Sequence, residues 1–294
     1  MEQILANSLI YAAEIAIIAV GVALAYSVLR FANFAHVQFA VVGAYLSYTL
    51  LQLGLPILPA ALLAAILTGG IAVLTDFLVF SRLRGITAEG KMIVSWGVAL
   101  FLRAGIACIF GGAARSFPIQ GRALRLGGAY VTTLDLAVVL VTLLAMVALH
   151  LLLYRTRLGT ALRALASNPD LAATRGIPAA RMIALMWFLC GAYAALGGTL
   201  FALETRLQPN MDLIILLPVF SAVTIGGLDQ VFGAVLGAVV LSLAQNVLIA
   251  VDFGALFSAQ SSWSVPPQLR DVVAVGTMVL VLLLRRRMVA GQAR

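Results

Sequence analysis

Long apolar stretches separated by short connections dominate this chain. They run from about 4 to 29, 33 to 52, 57 to 80, 92 to 111, 131 to 154, 181 to 203, 213 to 226, 231 to 251 and 271 to 284. A span of roughly 20 apolar residues covers the roughly 30 Å of bilayer hydrocarbon, so most of these stretches cross unaided. The seventh is too short to do so. Of the 294 residues, 63% are hydrophobic and only 10% charged, more apolar surface than a soluble domain can hide. The expected fold is an all-α, polytopic transmembrane bundle of about 8 to 10 segments, some broken or re-entrant, forming one domain over residues 1–294.

A net charge of +8 and a pI near 10.2 would suggest nucleic acid in a soluble protein. Here the basic residues report membrane orientation instead, and no nucleic-acid partner is expected. Arg30, Arg82, Arg84, Lys91, Arg155, Arg157, Arg163, Arg175, Arg181, Arg285, Arg286, Arg287 and Arg294 fall on one side of the spans. Arg115, Arg122, Arg125, Arg206 and Arg270 fall on the other. The positive-inside rule makes the first side cytoplasmic, with the N-terminus outside and the C-terminus inside. Cys108 and Cys190 both lie in apolar stretches and read as small buried hydrophobes. The N-terminal stretch has no basic lead and is longer than a signal-peptide core, so it reads as a retained span.

One polar connection carries its own folding instructions. Ser167-Asn168-Pro169-Asp170-Leu171-Ala172-Ala173-Thr174-Arg175-Gly176-Ile177-Pro178 supplies a capping side chain, then Pro and Asp in a first turn, then Arg, Gly and Pro as a stop. It predicts a helix of about two turns over 168–176 at the basic face of the membrane. A partner could push on such a stiff element.

Polar residues within apolar stretches mark the other candidates. Asn33-Phe34-Ala35-His36 runs into Gln38, and a second interruption extends from Pro218 to Gly226-Gly227. Broken helices at membrane depth commonly line a transport path, which makes Asn33, His36, Gln38, Pro218, Gly226 and Gly227 pathway candidates. The structural alternative has Asn33 capping a helix while His36 and Gln38 bond to neighbouring helices. Glu14 and Arg103 each fall near the middle of a span, where neither should face lipid, and their similar depth suggests an ion pair. Glu14 reads as the only acid near mid-membrane.

Two outer segments, Gly112 to Tyr130 and Phe253 to Arg270, exceed what a hairpin needs, and the second carries Trp263 and Pro266-Pro267. They either anchor at the interface or form a docking surface, with Arg115, Arg122 and Arg125 meeting acids on an external protein. Gly85 to Lys91 has the glycine and lysine spacing of a phosphate-binding loop, but Met92 stands where a hydroxyl must hold magnesium. No catalytic set and no metal-ligand spacing emerges: His36 and His150 are far apart, and no Cys/His/Asp cluster forms. A stand-alone secondary transporter or channel, and a membrane-embedded enzyme, are the competing readings.

Two regions of the chain resemble the permease subunits of ATP-binding-cassette importers for branched-chain amino acids and related solutes. The first is Asn33-Phe34-Ala35-His36 with Gly43-Ala44-Tyr45. The second runs from Arg163-Ala164 through Asn168, Ala172-Ala173 and Gly176-Ile177 to Phe220-Ser221-Ala222-Val223-Thr224-Ile225-Gly226-Gly227 and Phe232-Gly233. The resemblance implies a bacterial inner-membrane protein that pairs with a second homologous permease or another copy of itself. It also implies two cytoplasmic ATPase subunits, which hold the ATP and magnesium, a periplasmic solute-binding protein, a surround of membrane lipid, and no cofactor on this chain. The short helix over 168–176 would be the coupling helix, with Asn168, Pro169, Asp170, Leu171, Thr174, Arg175 and Gly176 as its contact with the ATPase. One departure stands out: where the family usually shows Gly and then an acid after the histidine, this chain has Val37 and Gln38. The missing charge leaves room for urea, short amides or organic carboxylates beside hydrophobic amino acids.

Overall fold

The computed structural model describes residues 1–119, 121–251, 266 and 269–292. Trp263 and Pro267 lie outside the described residues, and so does most of the second long outer segment. Eleven helices make up the described chain: α1 (Glu2–Leu29), α2 (Ala35–Gln52), α3 (Ile57–Leu78), α4 (Ala88–Phe110), α5 (Thr133–Arg155), α6 (Arg157–Ser167), α7 (Pro169–Thr174), α8 (Ala179–Glu204), α9 (Met211–Gly226), α10 (Gly233–Ala250) and α11 (Arg270–Gln292). A 3-10 turn, Phe80–Leu83, extends α3. Six of these helices are long and apolar enough to cross a membrane, namely α1, α3 with its turn, α4, α5, α8 and α10. Three more complete the set of apolar segments. His36 and Gln38 make the first turn of α2 polar, α9 has only 16 residues, and α11 runs into Arg285-Arg286-Arg287.

Two helices form the centre. Ile15, Ile17 and Ile18 of α1 are completely buried, as is Trp187 of α8. Small residues on α8 let its neighbours come close, which matters in lipid because packing, not water exclusion, holds helices together there. A side chain at Gly198 would overlap the carbonyl of Ala40 on α2, one at Gly197 would strike Ile17 and Ile18 of α1, and one at Gly191 would meet α3 at Thr68 and Gly69. By contrast, α4 and α5 lie at the periphery with Phe101, Ile109, Leu140 and Leu144 exposed, apolar faces suited to lipid or to another membrane subunit.

The interruption expected at Asn33 to Gln38 falls earlier, at residues 30–34, and His36 and Gln38 lie within α2. His36, second residue of α2, bonds Ile18 on α1, eleven residues before that helix ends. At 1.5 Å per residue, α2 therefore begins about 16 Å along α1 from its end, inside the bundle. Residues 30–34 make the climb: Arg30 ends α1 in the left-handed conformation (φ 57°), and Phe31 is buried against Phe80.

The all-helical expectation misses one feature, an antiparallel hairpin of β1 (Ala123–Leu126) and β2 (Ala129–Thr132) in the first long outer segment. Gly127 and Gly128 form its two-residue turn, with Gly127 at φ 62° where a side chain would be strained. The start of α1 pins it: Glu2 accepts from the Gly128 amide, and Gln3 brackets Tyr130 with bonds of 2.7 and 3.0 Å. Thr132 and Asp135 then close a capping box that starts α5.

Candidate functional site

The polar connection after α5 folds into two helices, and sequence reasoning found only the second. Thr156 caps α6 by accepting from the Gly159 amide at 3.1 Å. This helix buries Leu162 and Leu165 and leaves Arg157 exposed. Asn168 Oδ1 then accepts from the Leu171 amide at 3.0 Å, Pro169 occupies the first position of α7, and Asp170 sits in the first turn. The other end closes on Gly176 at φ 74°. The Gly176 amide donates to Ala173 at 3.0 Å and the Ile177 amide to Ala172 at 3.1 Å, the paired bonds of a Schellman stop. Thr174 Oγ1 donates to the Leu171 carbonyl at 2.8 Å. Ala172 is buried against the bundle while Leu171 projects, 57% exposed. Both ends of this short helix are thus fixed, and it offers an apolar tip flanked by Asp170 and Arg175. Arg30 ties the pair of helices to the bundle by donating to the Ala166 carbonyl at 2.9 Å.

A polar knot lies where α2 begins. Asn33 Oδ1 accepts from the Ala35 amide at 3.2 Å, and the Phe34 amide donates to Ser95 Oγ on α4 at 3.0 Å. Gln38 is completely buried, and with its amide nitrogen toward α9 it donates to both oxygens of Asp212, at 3.0 and 3.3 Å. Arg103 of α4 donates to the same carboxylate. The expected Glu14–Arg103 pair is therefore replaced by Arg103–Asp212. Similar depth did not place the two on facing surfaces: α4 packs along α2, and from there Arg103 reaches the first turn of α9. Glu14, buried on α1, faces a separate cavity with Arg270. Asp212 was missed because it stands at the edge of the short apolar stretch and reads as a connection residue; its burial, 4% exposed, refutes the idea that Glu14 is the only deep acid.

The remaining pathway candidates lie elsewhere. Pro218 is buried inside α9. Gly226 touches Gly233 backbone to backbone, and Gly227, at φ 103°, ends α9, so this pair makes the tight turn from α9 to α10 instead of joining the knot. Phe220 of α9 does reach the knot's edge, its ring 5.0 Å from that of Phe34. The three outer arginines also divide. Arg115 is structural, since its guanidinium donates to the Phe110 carbonyl at 2.8 Å and its backbone pairs with Leu207. Arg122 and Arg125 are exposed on the hairpin. Among the described residues no three His, Cys, Asp or Glu side chains are placed to hold a metal ion.

Long apolar helices packed around a break lined by polar side chains, with a short helix capped at both ends, define a multi-pass membrane protein. A profile of the family described as "Branched-chain amino acid transport system / permease component" matches residues 4–282, and the chain belongs to that family. It is 30% identical over 274 residues to the probable branched-chain amino acid transport permease protein LivH of Methanocaldococcus jannaschii, covering 87% of this chain and 84% of that protein. It is 28% identical to the high-affinity branched-chain amino acid transport system permease protein BraD of Pseudomonas aeruginosa, over 99% of this chain and 95% of that one. LivH of Escherichia coli K12 is 26% identical over 97% of this chain and 94% of its own length. Among solved structures, PsaBC from Streptococcus pneumoniae in complex with Fab aligns with a TM-score of 0.48 at 14% identity, covering 94% of this chain and 89% of that one.

Proposed function

We propose that this chain is the membrane subunit of an ATP-driven importer in a bacterial inner membrane, and that it forms the path for branched-chain or other hydrophobic amino acids. In this reading a periplasmic binding protein delivers the solute, a second permease or second copy completes the path, and two cytoplasmic ATPases drive it. The N-terminus is outside and the C-terminus inside. Helix α7 is the coupling element, with Leu171 seated in the ATPase and Asn168, Pro169, Asp170, Thr174, Arg175 and Gly176 holding it rigid and registered. The observation that carries the reading is a two-turn helix closed at both ends with an exposed apolar tip, because a lever must transmit motion and a loose loop would absorb it. The names of the relatives, branched-chain amino acid transport permeases, favour amino acids over urea, short amides or organic carboxylates.

The test is uptake by the reconstituted complex. Asp170→Lys with Arg175→Glu should leave assembly and ATP hydrolysis intact and abolish coupled uptake. Unchanged uptake would contradict the role given to α7, and uptake by the chain without ATPases would point to a self-sufficient carrier.

A further inference from the structure

Away from the knot, a cavity of about 570 Å³ opens among α1, α5, α8, α9, α10 and α11. Four carboxyls line it, Glu14, Asp135, Glu204 and Asp271, against one cation, Arg270. Asp135 is engaged by the Thr132 amide at 2.7 Å, and the carboxyl of Glu204 lies within hydrogen-bonding reach of Asp135.

Two groups in this cavity lack partners. Glu14 is 4% exposed and its Oε1 has no hydrogen-bond partner, while Nε of Arg270 is buried and equally unsatisfied. The guanidinium of Arg270 is otherwise held, stacked 3.9 Å over the ring of Tyr11 and donating to Asn246 Oδ1 at 3.3 Å. Among the described residues Glu14 and Arg270 make no ion pair with each other. A buried polar group without a partner is costly, and two of them on one cavity are relieved together by a molecule that presents an ammonium to the carboxyl and a carboxylate to the guanidinium. A bare metal ion does not fit the requirement, since no three ligating side chains converge among the described residues. Ile10, Phe201 and Ile214 supply an apolar wall on the same cavity.

We infer that this cavity binds a zwitterionic α-amino acid with an apolar side chain, the ammonium on Glu14, the carboxylate on the Arg270 guanidinium and the side chain toward Ile10, Phe201 and Ile214. The inference rests on the amino-acid reading above and adds to it a binding site within a single chain.

The test is equilibrium binding of tritiated L-leucine to the full chain in lipid nanodiscs. Saturable binding is expected, with Glu14→Gln and Arg270→Gln each weakening it at least about tenfold. On the unsubstituted chain, isopentylamine and isocaproate, the leucine skeleton without its carboxyl or its amino group, should each compete at least about tenfold less well than leucine. That comparison decides the matter even if a variant fails to fold. Absence of saturable binding, or an analogue that competes as well as leucine, overturns the site. Leucine uptake by the assembled complex is read separately. Binding without uptake supports the site and overturns the transport function, whereas uptake without binding overturns the site alone.

Discussion

Arg103 of α4 donates to the carboxylate of Asp212 in the first turn of α9, deep among apolar helices, and the buried Gln38 of α2 bonds the same acid. One carboxylate thus joins three helices at the point where the chain is broken. A buried pair of this kind contributes little net stability, but removing one partner strands the other, at a cost of about 3 to 5 kcal/mol. Asp212→Ala and Arg103→Ala should each lower the melting temperature of the detergent-solubilised protein, while Arg103→Met with Asp212→Leu should recover most of the loss. Additive losses in the double variant would show that the two side chains act independently.

Helix contact through α8 makes a steric prediction. Gly198→Ala places a methyl group against the carbonyl of Ala40 and should cost about 1 to 3 kcal/mol, read as lowered thermal stability. Gly70→Ala, at a position with nothing within 4 Å, is the matched control and should change stability little.

The caps of α7 should govern its rigidity. Asn168→Ala removes the acceptor for the Leu171 amide and should destabilise the helix by about 0.5 to 2 kcal/mol. Faster hydrogen exchange at that amide, with unchanged exchange in α8, is the expected result. Gly176→Val forces a branched side chain into a left-handed backbone at φ 74° and should loosen the other end. Uniform acceleration through α8 would mean that the bundle, not the cap, had failed.

The outer arginines should separate by role. Arg122→Glu with Arg125→Glu should slow association with the proposed external binding protein in a salt-dependent way, because exposed charges steer encounter. Arg115→Ala should instead lower thermal stability, since it removes the bond to the Phe110 carbonyl. Equal association rates in the Arg122/Arg125 variant would assign the hairpin to packing alone.

What the sequence revealed follows from how local each signal is. The span pattern was legible because apolar length is a property of a contiguous stretch, and the boundaries of α7 were legible because Asn168, Pro169 and Gly176 act within a turn of their own positions. Helix α6 was not: it carries Arg157 and Arg163 and only a narrow apolar stripe at Leu162 and Leu165, so its residues read as connection. The β1–β2 hairpin escaped for the same reason, as a few residues shaped by contact with Glu2 and Gln3. Partner choice was the least legible. The depth of Arg103 could be counted along its helix, but that it meets Asp212 and not Glu14 depends on which helix α4 packs against.

The central claim is that α7 carries the movement of an ATPase into the bundle, and cross-linking tests it most directly. With Cys108 and Cys190 replaced, Leu171→Cys provides a single thiol at the exposed tip of α7. In the assembled importer this thiol should cross-link to the ATPase subunit and be shielded from reagents added outside the membrane. Labelling from the outside, or no cross-link in a complex that still transports, would contradict the account.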